Sequence, residues 1–391
     1  MKKIRPRHVV ASLMLFGMLG VSGLTASSMA APGTSMPAGT DVTPSSAYVA
    51  PTPASIALGK LNISHFRQIV KQGLNEGHLS IIDKYISPTV VDHQYYGPGY
   101  PRSRGGIKAL TAALRTAFPD LHATATTLVA SNNGTQTFAI IRTTGTNTGR
   151  YLGLPPTHRK IVLNILESAL WKDGVIVEHW GVSDNISLLA DMGLFPLDKF
   201  PAFSVKDLAK KFQEQWAHPP KLHHRTAPTP EDKLAAVRRL IDVGVNQADM
   251  FAPVEIAAPN YVDHEFYGRN WPSNPQINKN KAIIAVNATA LPDIKTHVRE
   301  VQVIGPAVFT IMYSTGTNTG KYLGLPATGR KIDIDVFDYW HFNSKGQVDE
   351  HDGIADLLGL VAQLGFVPPG SVPVYSPSKV AKQFLPELKK G

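Results

Sequence analysis

The chain writes one domain twice, residues 61–216 returning with changes as residues 232–388 of 391. The most legible stretch runs over 144–161, through Tyr151, Gly153 and Arg159. It recurs over 315–332, through Tyr322, Gly324 and Arg330. A repeat of this length constrains the fold more than any local propensity does. Each copy must bury a core of its own, and units of about 140 to 155 residues are long enough to do so. The repeat is also an internal control, because any group that chemistry requires can be compared between the copies.

Residues 1–30 have the layout of a secretory signal peptide: Lys2, Lys3, Arg5 and Arg7, an apolar run over 9–24, then small residues up to Ala30. A retained membrane anchor is the alternative, although this run of about 16 residues falls short of the roughly 20 that a span needs. The expectation is export, periplasmic or extracellular, with no stable membrane insertion after cleavage. The chain has no cysteine, so neither a lipid-modified cysteine nor a disulfide framework can hold it, and ordinary cores must. The leader supplies four of the formal charges that make up +9, and the remaining cations are dispersed. The densest groups, 206–211, 221–225 and Lys389 with Lys390, read as helix surface and linker. They do not form the basic face with stacking aromatics that nucleic-acid binding requires, so no nucleic-acid partner is expected. Residues 31–60, rich in Pro, Ser, Thr and Ala, read as a disordered tether. Residues 217–231 read as a Pro-rich linker whose His218, His223 and His224 have no preset geometry for a metal.

Each copy opens with a helical spacing: Ile63, Phe66, Ile69, Val70 and Leu74 in the first, Leu234, Val237, Leu240, Ile241 and Val245 in the second. Ile81, Ile82 and Tyr85 extend the pattern as a second helix. A third helix is predicted over 107–118 and 282–291, each stopped by Pro-Asp. Strand patterns follow over 122–129, 137–146, 161–171 and 175–180, with Lys172, Asp173 and Gly174 as a tight hairpin turn. The second copy repeats them over 297–304, 308–317, 332–342 and 348–351. Helices first and a mostly antiparallel sheet after them make the fold α+β.

The order of the pieces then becomes specific. A Val/Asp/His step at Asp92-His93 and Asp263-His264 precedes a helix ending in Pro-Asp. Next comes Thr-Gly, then Tyr-Leu-Gly-Leu-Pro before Arg159 or Arg330. The series closes with Glu178-His179-Trp180, Asp184 and a late Leu. This series resembles the SnoaL-like polyketide cyclase family, of the nuclear-transport-factor-2-like cone fold. The resemblance implies two tandem cone-shaped α+β barrels, each with three helices on a curved sheet, packed together as an intrachain pseudo-dimer. It also implies cofactor-independent cyclase or isomerase chemistry by general acid/base transfer on a small apolar carbonyl compound. The rival readings are a non-catalytic binding protein for a small hydrophobic molecule and a scaffold for a partner protein.

Residue by residue, the resemblance carries the family's catalytic carboxylate onto Asp184 and Asp356. Each also precedes an apolar helical run and reads equally as a helix N-cap. The family's catalytic His falls on His341, on one strand face with Tyr339, where the first copy has Ser168 and Leu170. His341 and Asp356 are therefore expected to act together in the second copy. Asp352 stands where the first copy has Trp180. Pointing inward, it would sit beside another carboxylate, which raises a pKa; pointing to solvent, it matters little. His93, Tyr96, His264 and Tyr267 are expected at the pocket or its mouth, and no metal is expected from two such ligands per copy. Glu167 and Asp338, acids inside apolar strands, need partners, with Arg159 and Arg330 or a neighbouring backbone donor as the candidates. The glycine-rich segment 145–153 is read as strand and hairpin, because no Gly-Lys-Ser/Thr follows it.

Overall fold

A computed structural model describes residues 48–94, 100–195, 202–265, 271–366, 376 and 379–388. The leader, Tyr96, Tyr267, Lys389 and Lys390 lie outside the described residues. Among the described residues no helix is long and apolar enough to cross a membrane.

Both copies begin with the same device. Thr52 caps α1 (Pro53–Gln68) in a reciprocal capping box with Ser55, and Thr229 caps α6 (Pro230–Arg239) in one with Asp232. A proline occupies the first helical turn in each, where its missing N–H has no cost. The fold thus starts at Pro53, inside the stretch expected to be tether, and the linker ends before residue 230. After a wider helical turn in each copy come α2 (Ser80–Tyr85) and α7 (Ala252–Ile256). The next element was not legible as a strand. Residues Ile86–Asp92 form β1 and Ala257–Asp263 form β6, where no strand had been predicted. Each is an edge strand, which is why Pro88 and Pro259 are tolerated within it.

In the first copy α3 (Arg104–Ala117) leads to β2 (His122–Ala130), β3 (Gln136–Thr146), β4 (Lys160–Lys172), β5 (Val175–Ser183) and α4 (Asn185–Asp191). In the second, α8 (Asn278–Ala290) leads to β7 (Lys295–Ile304), β8 (Ala307–Thr317), β9 (Lys331–Phe342), β10 (Val348–Ala355) and α9 (Leu357–Gln363). The two five-stranded sheets have one topology, β1-β5-β4-β3-β2 and β6-β10-β9-β8-β7, with only the edge pair parallel. The β4–β5 hairpin turns on Asp173 and Gly174, both at positive φ (51° and 78°), as a two-residue hairpin of the favoured hand requires.

One face of each sheet encloses its own helices and the other meets the partner copy. Phe138, Ile140, Leu166 and Val182 of the first copy share a buried cluster with Phe309, Ile311, Phe337, Tyr339 and Ile354 of the second. The Phe138 and Phe309 rings lie 5.0 Å apart at its centre. Across the same contact, Gln136 Nε2 donates to Glu300 at 2.6 Å, and Asn132 Nδ2 to the Val303 carbonyl at 2.9 Å. The expected intrachain pair of cones is therefore what forms.

The segments that follow the two copies are exchanged. Leu208 and Phe212, after the first copy, are buried in the second copy's core, and the Ala209 amide donates to Thr289 Oγ1 on α8 at 2.9 Å. Val380 and Phe384, after the second, are buried in the first copy's core, and the Ala381 amide donates to Thr116 Oγ1 on α3 at 2.9 Å. Residues 205–216, expected to complete the first copy, thus pack on the second, most of them within α5 (Lys210–Ala217). The strap also changes how a buried lysine is satisfied. Lys108 on α3 bonds Asp83 (2.7 and 2.9 Å) and the Glu387 carbonyl. Its counterpart Lys281 faces Val254 in place of that acid and lies 3.9 Å over the Trp216 ring of the strap.

Candidate functional site

The second copy holds a cavity of about 130 Å³ between α8, the inner face of its sheet and α9. Inward positions of β9 alternate strictly: Ile332, Ile334, Val336, Asp338 and Trp340 all line it. The cavity separates two buried clusters of this copy, one containing Ile284, Leu291 and Leu360, the other Leu240, Ile241 and Met312. The matching interior of the first copy is one continuous cluster. Asn280 and Asn287 of α8 stand where α3 has Ile107 and Leu114, and Thr296 stands where β2 has Ala123. Asn280 and Asn287 are smaller than the residues they replace, and all three side chains are more polar than their counterparts.

At the sheet end of the cavity sits a buried relay. His351 on β10 is 2 % exposed, and its Nδ1 lies 3.1 Å from Asp263 Oδ1, at the end of β6. Its Nε2 faces Asp338 Oδ1 at 3.8 Å, an ion-pair distance too long for a hydrogen bond. Parallel pairing of β6 with β10 sets His351 opposite Asp263, and antiparallel pairing of β10 with β9 sets it opposite Trp340. Burial pulls the imidazole pKa down, but the charge and hydrogen bond of Asp263, helped by Asp338, overcome this and hold it well above the ordinary value. His351 thus sits between two acids that favour its protonated form.

Gly353 lets a further acid approach. A Cβ there would lie 2.7 Å from Glu265 Oε2, 2.8 Å from Asp338 Oδ1 and 3.0 Å from the His351 ring. Asp263, Glu265 and His351 each bring one potential ligand atom within 4.8 Å of the others, a geometry able to hold a metal ion. The count of two ligands per copy had missed Glu265.

The first copy keeps the relay and changes its surroundings. His179 Nδ1 lies 3.0 Å from Asp92 Oδ1 and its Nε2 3.9 Å from Glu167. Burial acts to lower this imidazole, while the hydrogen bonds and charges of Asp92 and Glu167 raise it to about 10. Gln94 replaces Glu265 and donates to Ser183 Oγ, and Ala169 replaces Trp340.

Several expected site residues are elsewhere. His341 and Tyr339 lie on the sheet face opposite the cavity; His341 Nδ1 pairs with Asp349 at 2.6 Å, and Tyr339 packs on Phe309 between the copies. Burial and the acids Glu350, Asp349 and Asp352 push the Tyr339 hydroxyl up to about 12. Asp356 caps α9, accepting from the Gly359 amide at 2.8 Å, and Asp184 caps α4, accepting from Ser187 at 3.1 Å. Burial raises both carboxyls. His341 and Asp356, expected to act together, thus have separate partners. Asp352 lines a small crevice at the seam of the copies with Asp184, His264 and Glu265, where burial raises its carboxyl to about 6. Trp180 stacks on His93, whose Nε2 bonds Glu178 at 2.7 Å; His264 pairs likewise with Glu350 at 3.0 Å and is half exposed. Glu167 and Asp338 find the histidine of the next strand rather than Arg159 and Arg330.

The residues missed as a site were His351, Asp338 and Trp340, whereas Asp263 was expected to line the pocket mouth or fix the loop. Their signal was present in the period-two run through Asp338 and Trp340, and in the replacement of Ala169 by Trp340 between otherwise similar strands.

The family profile described as SnoaL-like polyketide cyclase matches residues 64–192 and again 235–364. Similar solved structures include IdmH of Streptomyces antibioticus, 29% identical, covering 34% of this chain and 98% of its own, with a TM-score of 0.30. TsrD of Streptomyces laurentii is 24% identical, covering 36% of this chain and 97% of its own, with a TM-score of 0.30. A SnoaL-like polyketide cyclase of Agrobacterium tumefaciens is 17% identical, covering 35% and 98%, with a TM-score of 0.28. No curated protein matches the chain.

Proposed function

The chain belongs to the SnoaL-like polyketide cyclase family, and from that premise we propose that its second cavity performs cyclase- or isomerase-type proton transfer on a small, largely apolar carbonyl compound. The observation that carries this reading is the buried Asp263–His351–Asp338 relay at one end of a largely apolar cavity. Asp338 takes the proton from the carbon next to the carbonyl: the C–H bond breaks, an O–H bond forms on the carboxyl, and the electron pair moves to the carbonyl oxygen. His351 is oriented by Asp263 and remains charged, so it stabilises that oxygen and can return a proton. The role that the family resemblance placed on Asp356 and His341 passes to Asp338 and His351, because these line the cavity.

Exchange of α-protons into D2O tests the chemistry without knowledge of the natural substrate. With 1-tetralone as the probe, followed by proton NMR, the wild-type chain is expected to accelerate exchange. Asp338→Asn should remove about 100-fold or more of that acceleration. Equal exchange by the two proteins would end the acid/base reading. Tetralone binding without exchange would instead leave a binding protein for apolar ligands, a role favoured by the Ile, Leu and Val lining. We propose also that the chain is exported, on the layout of residues 1–30. An intact Met1 in protein recovered from the cytosol alone would overturn this; a mature N-terminus at Ala31 is expected.

A further inference from the structure

Among the described residues, the buried donors of the second copy without a hydrogen-bond partner include Trp340 Nε1 and His351 Nε2. They are paired positions on neighbouring strands, 7 % and 2 % exposed, and both side chains line the cavity. Their rings lie 3.9 Å apart between centroids, inclined by 31°. An unmet buried donor costs about 1–3 kcal/mol, and buried polar groups are paired in the great majority of cases. Two such donors side by side, in a cavity otherwise lined largely by hydrocarbon, call for an acceptor that arrives with the ligand.

The first copy shows how the same fold treats an indole that has no such task. Trp171, two positions from the Trp340 equivalent, donates to Thr137 Oγ1 at 2.9 Å. At the equivalent position itself stands Ala169, so the first copy cannot offer the pair. Asp338 shares the inward face of β9 with Trp340 two residues away. An oxygen held by the two donors therefore presents its neighbouring carbon towards that carboxylate.

We propose that Trp340 Nε1–H and His351 Nε2–H form a two-donor anchor for one oxygen of the ligand, a ketone carbonyl or the enolate it becomes. The inference rests on the reading of the second cavity as a site for apolar carbonyl compounds, and it narrows the ligand to a ketone with a rigid hydrocarbon body. Both hydrogen bonds strengthen as Asp338 removes the α-proton and charge gathers on the oxygen, so the anchor favours the transition state over the bound ketone.

The test pairs 1-tetralone with tetralin, which has the same skeleton without the oxygen, and uses Trp340→Phe, which keeps a ring and removes the N–H. In the full chain, tetralone is expected to bind about tenfold tighter than tetralin. Trp340→Phe should weaken tetralone about tenfold and leave tetralin unchanged, while the infrared C=O stretch of bound tetralone rises towards its free value. Equal weakening of both ligands, or an unchanged tetralone affinity, would overturn the anchor while leaving the cavity reading intact. Failure of the wild-type chain to bind either ligand would overturn the cavity reading, and the anchor with it.

Discussion

The two copies share a fold, a sheet topology and a buried histidine relay, yet their interiors differ. In the first, Ile107, Leu114, Phe118 and Leu121 fill the space under α3, and the core is continuous. In the second, Asn280 and Asn287 replace Ile107 and Leu114, Leu291 and Ile294 replace Phe118 and Leu121, and a cavity splits the core in two. The relay alone therefore does not make a site. Its preservation in a filled copy shows that Asp92–His179 and Asp263–His351 also tie the edge strand to the sheet, since each joins a strand end to its parallel neighbour. What distinguishes the second copy is room, an added carboxylate at Glu265 and an indole at Trp340.

The exchanged straps set the largest test of how independent the copies are. Phe212 is 1 % and Phe384 5 % exposed, and truncating a buried Phe to Ala costs about 3–5 kcal/mol. Phe212→Ala is expected to destabilise the second copy and Phe384→Ala the first, opposite to their order in the chain. Hydrogen exchange resolved by peptide reads the outcome. Protection should fall first in α8 for Phe212→Ala and first in α3 for Phe384→Ala; the reverse pattern would dissolve the exchange. Ligand binding in the second cavity should suffer in the first variant only.

How much of this was legible follows from what a pattern can encode. The helix stops before Pro119 and Pro292, the Asp173-Gly174 turn and the antiparallel strands were readable because spacing and turn chemistry are local. The parallel edge strand was not, because Ile86 follows Tyr85 with no turn residue between them and its partner, β5, lies far along the chain. Nor could alternation say which face of β9 is inner. That sheet is covered on both sides, by its own helices and by the other copy, so both faces carry apolar residues. His341, placed at the site by the family resemblance alone, lies on the face away from the cavity. The straps were hidden because Leu208, Ala209 and Phe212 match Val380, Ala381 and Phe384 equally well whichever copy each segment packs on.

A smaller contrast is electrostatic. Asp335 stands where the first copy has Asn164. Burial, then the charge of Asp356, raises its carboxyl to about 7, with Asp333 adding to the shift and Arg299 and Arg102 opposing it. Asp352, where the first copy has Trp180, is raised to about 6, chiefly by burial. A carboxyl whose pKa is raised on folding contributes stability that is complete below its ordinary value of 3.8 and is lost as pH climbs through the folded value. The chain should therefore lose on the order of 1 kcal/mol per pH unit between about pH 4 and pH 7, seen as a lower Tm. In Asp335→Asn, which installs the first copy's residue, the slope should flatten. An identical slope would place the pH sensitivity elsewhere in the chain.

The smallest expected effect bears most on the assignment of the site. Asp356 is the residue that family resemblance marks as catalytic, and the structure gives it a task that needs no proton transfer: its Oδ1 accepts from the Gly359 amide at the start of α9. Asparagine caps a helix about as well as aspartate, whereas alanine forfeits the bond and about 1 kcal/mol. Asp356→Asn should thus keep both stability and tetralone exchange within a small factor of wild type, while Asp356→Ala loses stability only. The first copy offers the matching control in Asp184, which caps α4 in a filled interior. If Asp356→Asn abolished exchange while Asp184→Asn did not, the cap would be a proton-transfer group as well. The site would then have to extend from Asp338 past Leu357 to the helix end. If neither variant moved the rate, the late aspartate would be a feature of the fold, present in both copies because both helices need starting.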